Sequence, residues 1–246
     1  MADQLATLIL AAGKGTRMKS DLPKVLHKIL GESMVSRVVA TAETAGSNDT
    51  VVVIGHKKEL VELELRDRRV RFAVQQEQLG TGHAVKMAEP LLKNFRGDVL
   101  ILAGDVPLLR AETLKKLVNK HRKDKADATV LSAIFEDPHG YGRIVRTADG
   151  HYSHSVEEKD ADEEIRKIRE INSGIYVFKA ELLFHYLRFI GTDNAQREYY
   201  LTDVLPLMRK DRKRIALQVA EDPDEIQGVN TVEQLSAAEA KLRTGL

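Results

Sequence analysis

Gly13-Lys14-Gly15-Thr16-Arg17-Met18 sets two glycines and two cations directly behind the apolar run Leu8–Ala12. Glycines at the carboxyl end of a strand let backbone N–H groups approach phosphate oxygens closely, and Lys14 and Arg17 add positive charge, so the segment suits a polyphosphate. A tight strand-to-helix turn with both cations solvated would use the same residues. Spacing excludes two other phosphate loops. A Walker A loop carries Gly-Lys-Ser/Thr after four residues, whereas here the lysine lies between the glycines. The dinucleotide fingerprint requires a third small residue where this chain has Met18. Further on, Pro23 rigidifies the backbone just before Lys24. Asp105 follows the apolar run Asp98–Leu102 and Gly104; a hard carboxylate at a strand's carboxyl end suits Mg²⁺, which takes few protein ligands beside phosphate and water. The plainer alternative for Asp105 is a solvated turn.

These residues need a frame that brings strand ends together. Ala6–Ala12, Thr50–Gly55, Val70–Gln75 and Asp98–Leu102 read as buried strands of a mostly parallel sheet, and the intervening amphipathic stretches read as helices. Ser33 is placed to cap a helix over Met34–Ala45, with Gly46 beyond its end. Helices are expected over Lys57–Arg66 and His83–Asn94, the latter bent or shortened by Pro90. A helix over Glu112–Arg122 and a strand over Thr129–Phe135 continue the α/β alternation. From Asp137 to Asp162 the chain turns polar and rich in Gly and His. Short strands at Arg143–Arg146 and Ser153–Glu157 make this stretch read as a small antiparallel insertion. A strand at Ile171–Phe178, a helix at Glu181–Arg188, a strand at Arg214–Val219 and a helix from Thr231 complete the pattern. The fold class is therefore α/β, a mixed, mostly parallel sheet flanked by helices.

The composition is that of an ordinary globular protein of 246 residues, 43% hydrophobic and 30% charged. The net charge of +1 predicts no general attraction to nucleic acid or to an anionic membrane surface. The absence of Cys excludes disulfides and thiolate zinc sites and suits a reducing compartment. No apolar run is long enough to span a bilayer, and Met1-Ala2-Asp3-Gln4 carries no positive leader signal, so a cytoplasmic location is expected. His27, His56, His121, His139, His151, His154 and His185 lack metal-ligand spacing, and no zinc site is expected. His83 is expected to be structural or to shape its loop. The basic-rich runs Lys120–Lys125 and Arg209–Arg214 are broken by Asp124 and Asp211 and read as solvated faces.

Leu10-Ala11-Ala12-Gly13-Lys14-Gly15-Thr16-Arg17-Met18 followed by Leu22-Pro23-Lys24 resembles the signature of the nucleoside-diphosphate-sugar pyrophosphorylases. Further segments in the same order strengthen the resemblance: Gln78–Ala84, Gly104–Leu108, Gly140–Ile144, Glu170–Ile175, Glu198–Asp203 and Gly228–Asn230. Together they look like the uridylyltransferase domain of the bacterial bifunctional N-acetylglucosamine-1-phosphate uridylyltransferases. The resemblance implies a Rossmann-like nucleotidyltransferase fold and transfer of UMP from UTP to N-acetylglucosamine-1-phosphate, releasing pyrophosphate; the alternatives are the same chemistry on glucose-1-phosphate or N-acetylgalactosamine-1-phosphate, and a non-catalytic module that binds a nucleotide sugar. It also implies the residue roles. Arg17 and Lys24 would hold phosphates, with Asp105 beside them as a catalytic residue. Ala11, Ala12, Gly13, Gly15, Gln75, Gly80 and Thr81 would bind the nucleotide. Gly142, Glu157 and Asn172 would bind the sugar, although Glu157 taken alone, with Glu158 and Lys159 after it, reads as a solvated face residue. Asp105 and Asn230 would ligate Mg²⁺. On chemistry alone the Gln75 amide matches uracil or, turned over, cytosine equally well.

The chain departs from the pattern at Ala103, where an aromatic residue is usual, and at Ser173, where Thr is common. The resemblance implies one domain over 1–230, with 231–246 as a helix opening a linker toward an acetyltransferase domain. The hexapeptide repeats of that β-helical domain do not occur in these residues. Neither acetyl transfer nor trimerisation is expected, and a monomer or weak oligomer is.

Overall fold

The computed structural model describes residues 4–245, so Met1–Asp3, on which the expectation of no leader signal partly rests, and Leu246 lie outside the described residues. In chain order the strands are β1 (Leu5–Leu10), β2 (Lys28–Ile29), β3 (Glu32–Ser33), β4 (Asp49–Ile54), β5 (Val70–Val74), β6 (Asp98–Ala103), β7 (Ala128–Ile134), β8 (Gly142–Arg146), β9 (Tyr152–Val156), β10 (Glu170–Lys179) and β11 (Ile215–Val219). The helices are α1 (Met34–Thr44), α2 (Lys58–Glu64), α3 (Thr81–Met87), α4 (Glu89–Leu92), α5 (Ala111–Lys123), α6 (Glu163–Arg166), α7 (Ala180–Tyr186), α8 (Val204–Lys210) and α9 (Val232–Arg243).

The main sheet runs β11-β7-β10-β6-β1-β4-β5. β6, β1, β4 and β5 are mutually parallel, as are β7 and β11, while β10 runs antiparallel between β6 and β7. Alternate residues along each inner strand face opposite layers. In β4, Val51 and Val53 join one core cluster and Val52 and Ile54 the other. The strands are therefore buried on both faces, which is why they read as continuous apolar runs and not as alternating ones. Val35, Val38 and Val39 of α1 and Leu114, Leu117 and Val118 of α5 cover one face. Ala84 and Val85 of α3, Leu183 of α7 and Val204 and Met208 of α8 cover the other. Each fully buried branched side chain contributes roughly 1.5–3 kcal/mol relative to exposure. Among the described residues no helix is long and apolar enough to cross a membrane.

Local chemistry sets several boundaries. Ser33 caps α1, its hydroxyl accepting from Ser36 N at 3.3 Å. The single helix expected over His83–Asn94 is instead two. α3 begins earlier, at Thr81, and ends at Met87; α4 starts afresh with Pro90 in its first turn. The proline has no N–H and its ring would strike the carbonyl four residues back, that of Lys86, so one continuous helix cannot form. The insertion is the expected antiparallel pair, β8 with β9, and β8 is hydrogen-bonded into the main sheet opposite Ile171 and Asn172 of β10. The short hairpin β2–β3 turns at Leu30 and Gly31, both at positive φ, and at two residues per strand it leaves no periodic signal.

The C-terminal helix α9 packs Ala238, with Leu235 and Leu242, into a small cluster with Ile29, Met34, Leu108 and Val229. Its start is a capping box: Thr231 accepts from Gln234 N, and the Gln234 side chain accepts from Thr231 N. The Gln234 carbonyl oxygen also accepts from Asn230 N at 2.7 Å, so the cap orients Asn230. Replacing Thr231 by Ala is expected to lower stability by about 1 kcal/mol, as a shifted urea midpoint with an unchanged slope.

Candidate active site

The chain leaves β1 for β4 and β5 on one side, then returns to β6 on the other. The crevice above the carboxyl ends of β1 and β6 is thus the switch point at which open α/β sheets bind ligands. Ala11 and Ala12, just past the end of β1, are buried, whereas Gly13, Lys14, Thr16 and Arg17 after them are exposed. Gly15 lies at φ 64, and a Cβ built there would collide with the Lys24 side chain. Glycine therefore does two things here: it permits the left-handed turn and lets the loop close onto Lys24.

Four of the expected residues converge on one point. The Lys24 ammonium forms an ion pair with Asp105 Oδ2 and donates to Asn230 Oδ1 at 2.8 Å; Arg17 donates to the same Asn230 oxygen at 2.9 Å. Val229 N donates to Asp105 O at 2.9 Å, tying the loop before α9 to the end of β6. Lys24 and Asp105 side chains are each 16% exposed, so their attraction is screened less than that of a surface pair. The Asp105 and Asn230 oxygens already face one shared cation. Among the described residues no group of three or more His, Cys, Asp or Glu side chains could hold a metal. A pair of hard oxygens fits Mg²⁺, which takes few protein ligands beside phosphate and water, and does not fit zinc.

Gly142, Glu157 and Asn172 line one cavity of about 190 Å³ together with Thr81, Tyr141 and Thr202. Thr202 Oγ1 donates to Glu157 Oε1 at 3.1 Å. Burial is the main reason the Glu157 carboxyl lies above its usual range, and Asp203 and Asp160 push it further up. The Asp203 carboxyl is likewise raised, by burial and then by Asp160. Asn172 is buried, its amide engaged with the Tyr176 hydroxyl at 2.7 and 3.0 Å. Next to it β10 bulges through Ser173 and Gly174, the Ser173 hydroxyl donating to Leu131 O at 2.6 Å. Ser thus supplies a hydrogen bond at the position where Thr is common. Ala103, at the end of β6, packs on the same core cluster as Tyr141. The Tyr141 hydroxyl accepts from Gly228 N at 3.2 Å.

Gln75 is 3% exposed at the end of β5, and its amide Nε2 lies 3.1 Å from Gly80 O and 3.1 Å from His83 Nδ1. Gly80 has φ 107, and a Cβ there would sit 2.6 Å from Tyr199 O. Thr81 accepts from Leu201 N at 3.0 Å through its hydroxyl. Tyr141, Tyr176, Thr202 and His83 join the site without having been assigned to it from sequence. Tyr141, Thr202 and His83 lie inside the segments that carry the resemblance, Gly140–Ile144, Glu198–Asp203 and Gln78–Ala84, whereas nothing local marks Tyr176. A larger cavity of about 460 Å³ lies elsewhere, beside Lys120, Arg146 and Arg214. Its cations are engaged, Arg146 with Glu170 and Lys120 with Asp124, so size does not mark the site here.

A family model, the MobA-like NTP transferase domain, matches residues 7–174. The chain is 53% identical over 241 residues to the bifunctional protein GlmU of Syntrophotalea carbinolica, covering 98% of this chain and 52% of that protein. It is 50% identical to the Streptococcus suis protein of the same name (96% of this chain, 51% of that one) and 51% identical to that of Caldanaerobacter subterraneus (98% and 52%). The chain thus spans about half the length of these curated relatives. A crystal structure of UDP-glucose pyrophosphorylase with UDP-glucose superposes with a TM-score of 0.77 at 21% identity, covering 99% of this chain and all of that one, which establishes the likeness of fold.

The raised Glu157 carboxyl has a thermodynamic signature. The folded protein holds this proton more tightly than the unfolded chain, so its contribution to stability is present below the ordinary glutamate pKa of about 4.3 and is lost as pH rises through the raised value. Glu157→Gln is expected to flatten that part of the stability–pH curve and to melt no lower than the wild type at pH 7.5, as read by thermal scans from pH 4 to 8.

Proposed function

We propose that this chain, which belongs to the family of MobA-like NTP transferase domains, transfers UMP from UTP to N-acetylglucosamine-1-phosphate, giving UDP-N-acetylglucosamine and pyrophosphate. The observation that carries this reading is the convergence of Arg17, Lys24, Asp105 and Asn230 above the carboxyl ends of β1 and β6. Identity of about half the residues to three proteins named GlmU supports the choice of nucleotide and sugar.

A phosphate oxygen of the sugar phosphate attacks the α-phosphorus of UTP while the bond to the β-phosphate oxygen breaks, and pyrophosphate leaves in line. The attacking group loses its second proton near a pKa of about 6, so it is already an anion and needs no general base. Catalysis then consists of positioning and charge neutralisation. Gly13 and Gly15 offer backbone N–H groups beside the buried Ala11 and Ala12. Arg17 holds the leaving β- and γ-phosphates and Lys24 the reacting ones. Asp105 and Asn230 would hold Mg²⁺, which when bound would supply positive charge to neutralise the phosphates. Gln75, Gly80 and Thr81 receive the uracil. Glu157, Asn172 and the backbone at Gly142 receive the sugar hydroxyls and acetamido group, with Thr202 orienting the Glu157 carboxylate.

Pyrophosphate release is expected with UTP, Mg²⁺ and N-acetylglucosamine-1-phosphate, and much less with glucose-1-phosphate. Asp105→Ala and Asn230→Ala should each lower kcat about 100-fold or more, with Asn230→Ala also needing more Mg²⁺. Release only with glucose-1-phosphate would move the sugar specificity. Silence with every sugar phosphate would overturn the reading.

A further inference from the structure

We infer that His83 is a positioning residue for base choice: with the Gly80 carbonyl it holds the Gln75 amide so that Oε1 faces the base, favouring uracil over cytosine. The inference rests on the reading that the site takes UTP.

Its ground is which atoms can meet. Gly80 O lies 3.1 Å from the Gln75 amide nitrogen. A backbone carbonyl only accepts, so the NH₂ group of Gln75 must face it; turning the amide over would set two oxygens against each other. The second contact of that nitrogen, 3.1 Å, is to His83 Nδ1. With the NH₂ fixed as donor, Nδ1 must accept, and the neutral imidazole carries its proton on Nε2. Both hydrogens of the amide are then used on the protein. Oε1 has no hydrogen bond among the described residues, yet it is not sealed away as a buried orphan atom. Uracil presents N3–H between its two carbonyls, which an acceptor satisfies. Cytosine presents a bare N3 lone pair at the same place, which an acceptor repels.

The two groups that hold the amide are themselves held. Gly80 follows the tight approach to Tyr199 described above. α3, which carries His83, is pinned at its start by Gly82 N donating to Tyr199 O at 2.8 Å and Leu201 N donating to Thr81 Oγ1 at 3.0 Å. The His83 ring lies tilted beside Tyr199, centroids 6.3 Å apart.

The test is direct binding of UTP and of CTP, each with Mg²⁺, to the wild type and three variants, by calorimetry. His83→Phe keeps a ring and removes the acceptor; His83→Gln moves its polar atoms away from the Nδ1 position; His83→Asn returns an acceptor to it. The ratio of UTP to CTP affinity is expected to fall roughly tenfold in His83→Phe and His83→Gln, as one unsatisfied buried partner implies, and to recover in His83→Asn. Either removal variant that melts as the wild type does suffices. An unchanged ratio, or equal weakening of both nucleotides, would overturn the inference, as would a wild type that binds UTP and CTP alike. A wild type that prefers UTP but releases pyrophosphate with no sugar phosphate would overturn only the earlier reading.

Discussion

One ammonium group, that of Lys24, is shared by the carboxylate of Asp105 and the amide oxygen of Asn230, and the site is arranged around that contact. The three residues come from the 3₁₀ turn after Pro23, the end of β6 and the loop before α9. A site for polyphosphate must concentrate positive charge, and uncompensated cations a few ångströms apart repel strongly in a partly buried crevice. Pairing Lys24 with Asp105 relieves this. It also leaves Arg17 and Lys14 toward solvent, where the phosphates of the proposed substrates would be met first.

The direction of β10 extends the same logic to the second pocket. Because β10 runs antiparallel to β6, with Tyr176 opposite Ile101 and Lys179 opposite Asp98, its early residues lie past the carboxyl end of β6. Asn172 therefore arrives at the same rim of the sheet as Asp105. The bulge at Ser173 and Gly174 interrupts the ladder to β7 there, a common device for re-aiming a side chain beside a site. β8 pairs with that segment of β10 and brings Gly142 and, through β9, Glu157 to the same cavity. The polar insertion thus widens the sheet at its functional edge.

The parallel half of this frame was legible because its strands are buried on both faces and its turns carry their own chemistry: Ser33 before α1, Gly15 in the first loop, Thr231 before α9. The break between α3 and α4 was half legible, since Pro90 marks it but Ala88 does not. Contacts between residues far apart in the chain leave no trace in local periodicity. Lys24 and Asn230 are 206 positions apart, and only the ordered set of segments, taken as a family resemblance, linked them. Burial of the Asn172 amide against Tyr176 was illegible for the same reason. So was the orientation of the Gln75 amide, which residue type leaves open and which its contacts with Gly80 O and His83 Nδ1, neither visible in local periodicity, fix.

Tyr141 joins the two halves of the crevice. Its ring lines the cavity that holds Glu157, and its hydroxyl accepts from Gly228 N, two residues before Asn230. Burial raises its pKa above the ordinary phenol value, with the Asp105 charge adding to the rise, so the hydroxyl keeps its proton at neutral pH. A neutral phenol can accept from Gly228 and still donate its own hydrogen, whereas a phenolate beside Asp105 would set two anions together. The edge-to-face contact of Tyr141 with Phe135, centroids 5.0 Å apart, fixes the ring from behind. The β8 hairpin and the loop carrying Asn230 are therefore mechanically linked through one side chain, and a shift of either bears on both the cavity that holds Glu157 and the Asp105–Asn230 pair.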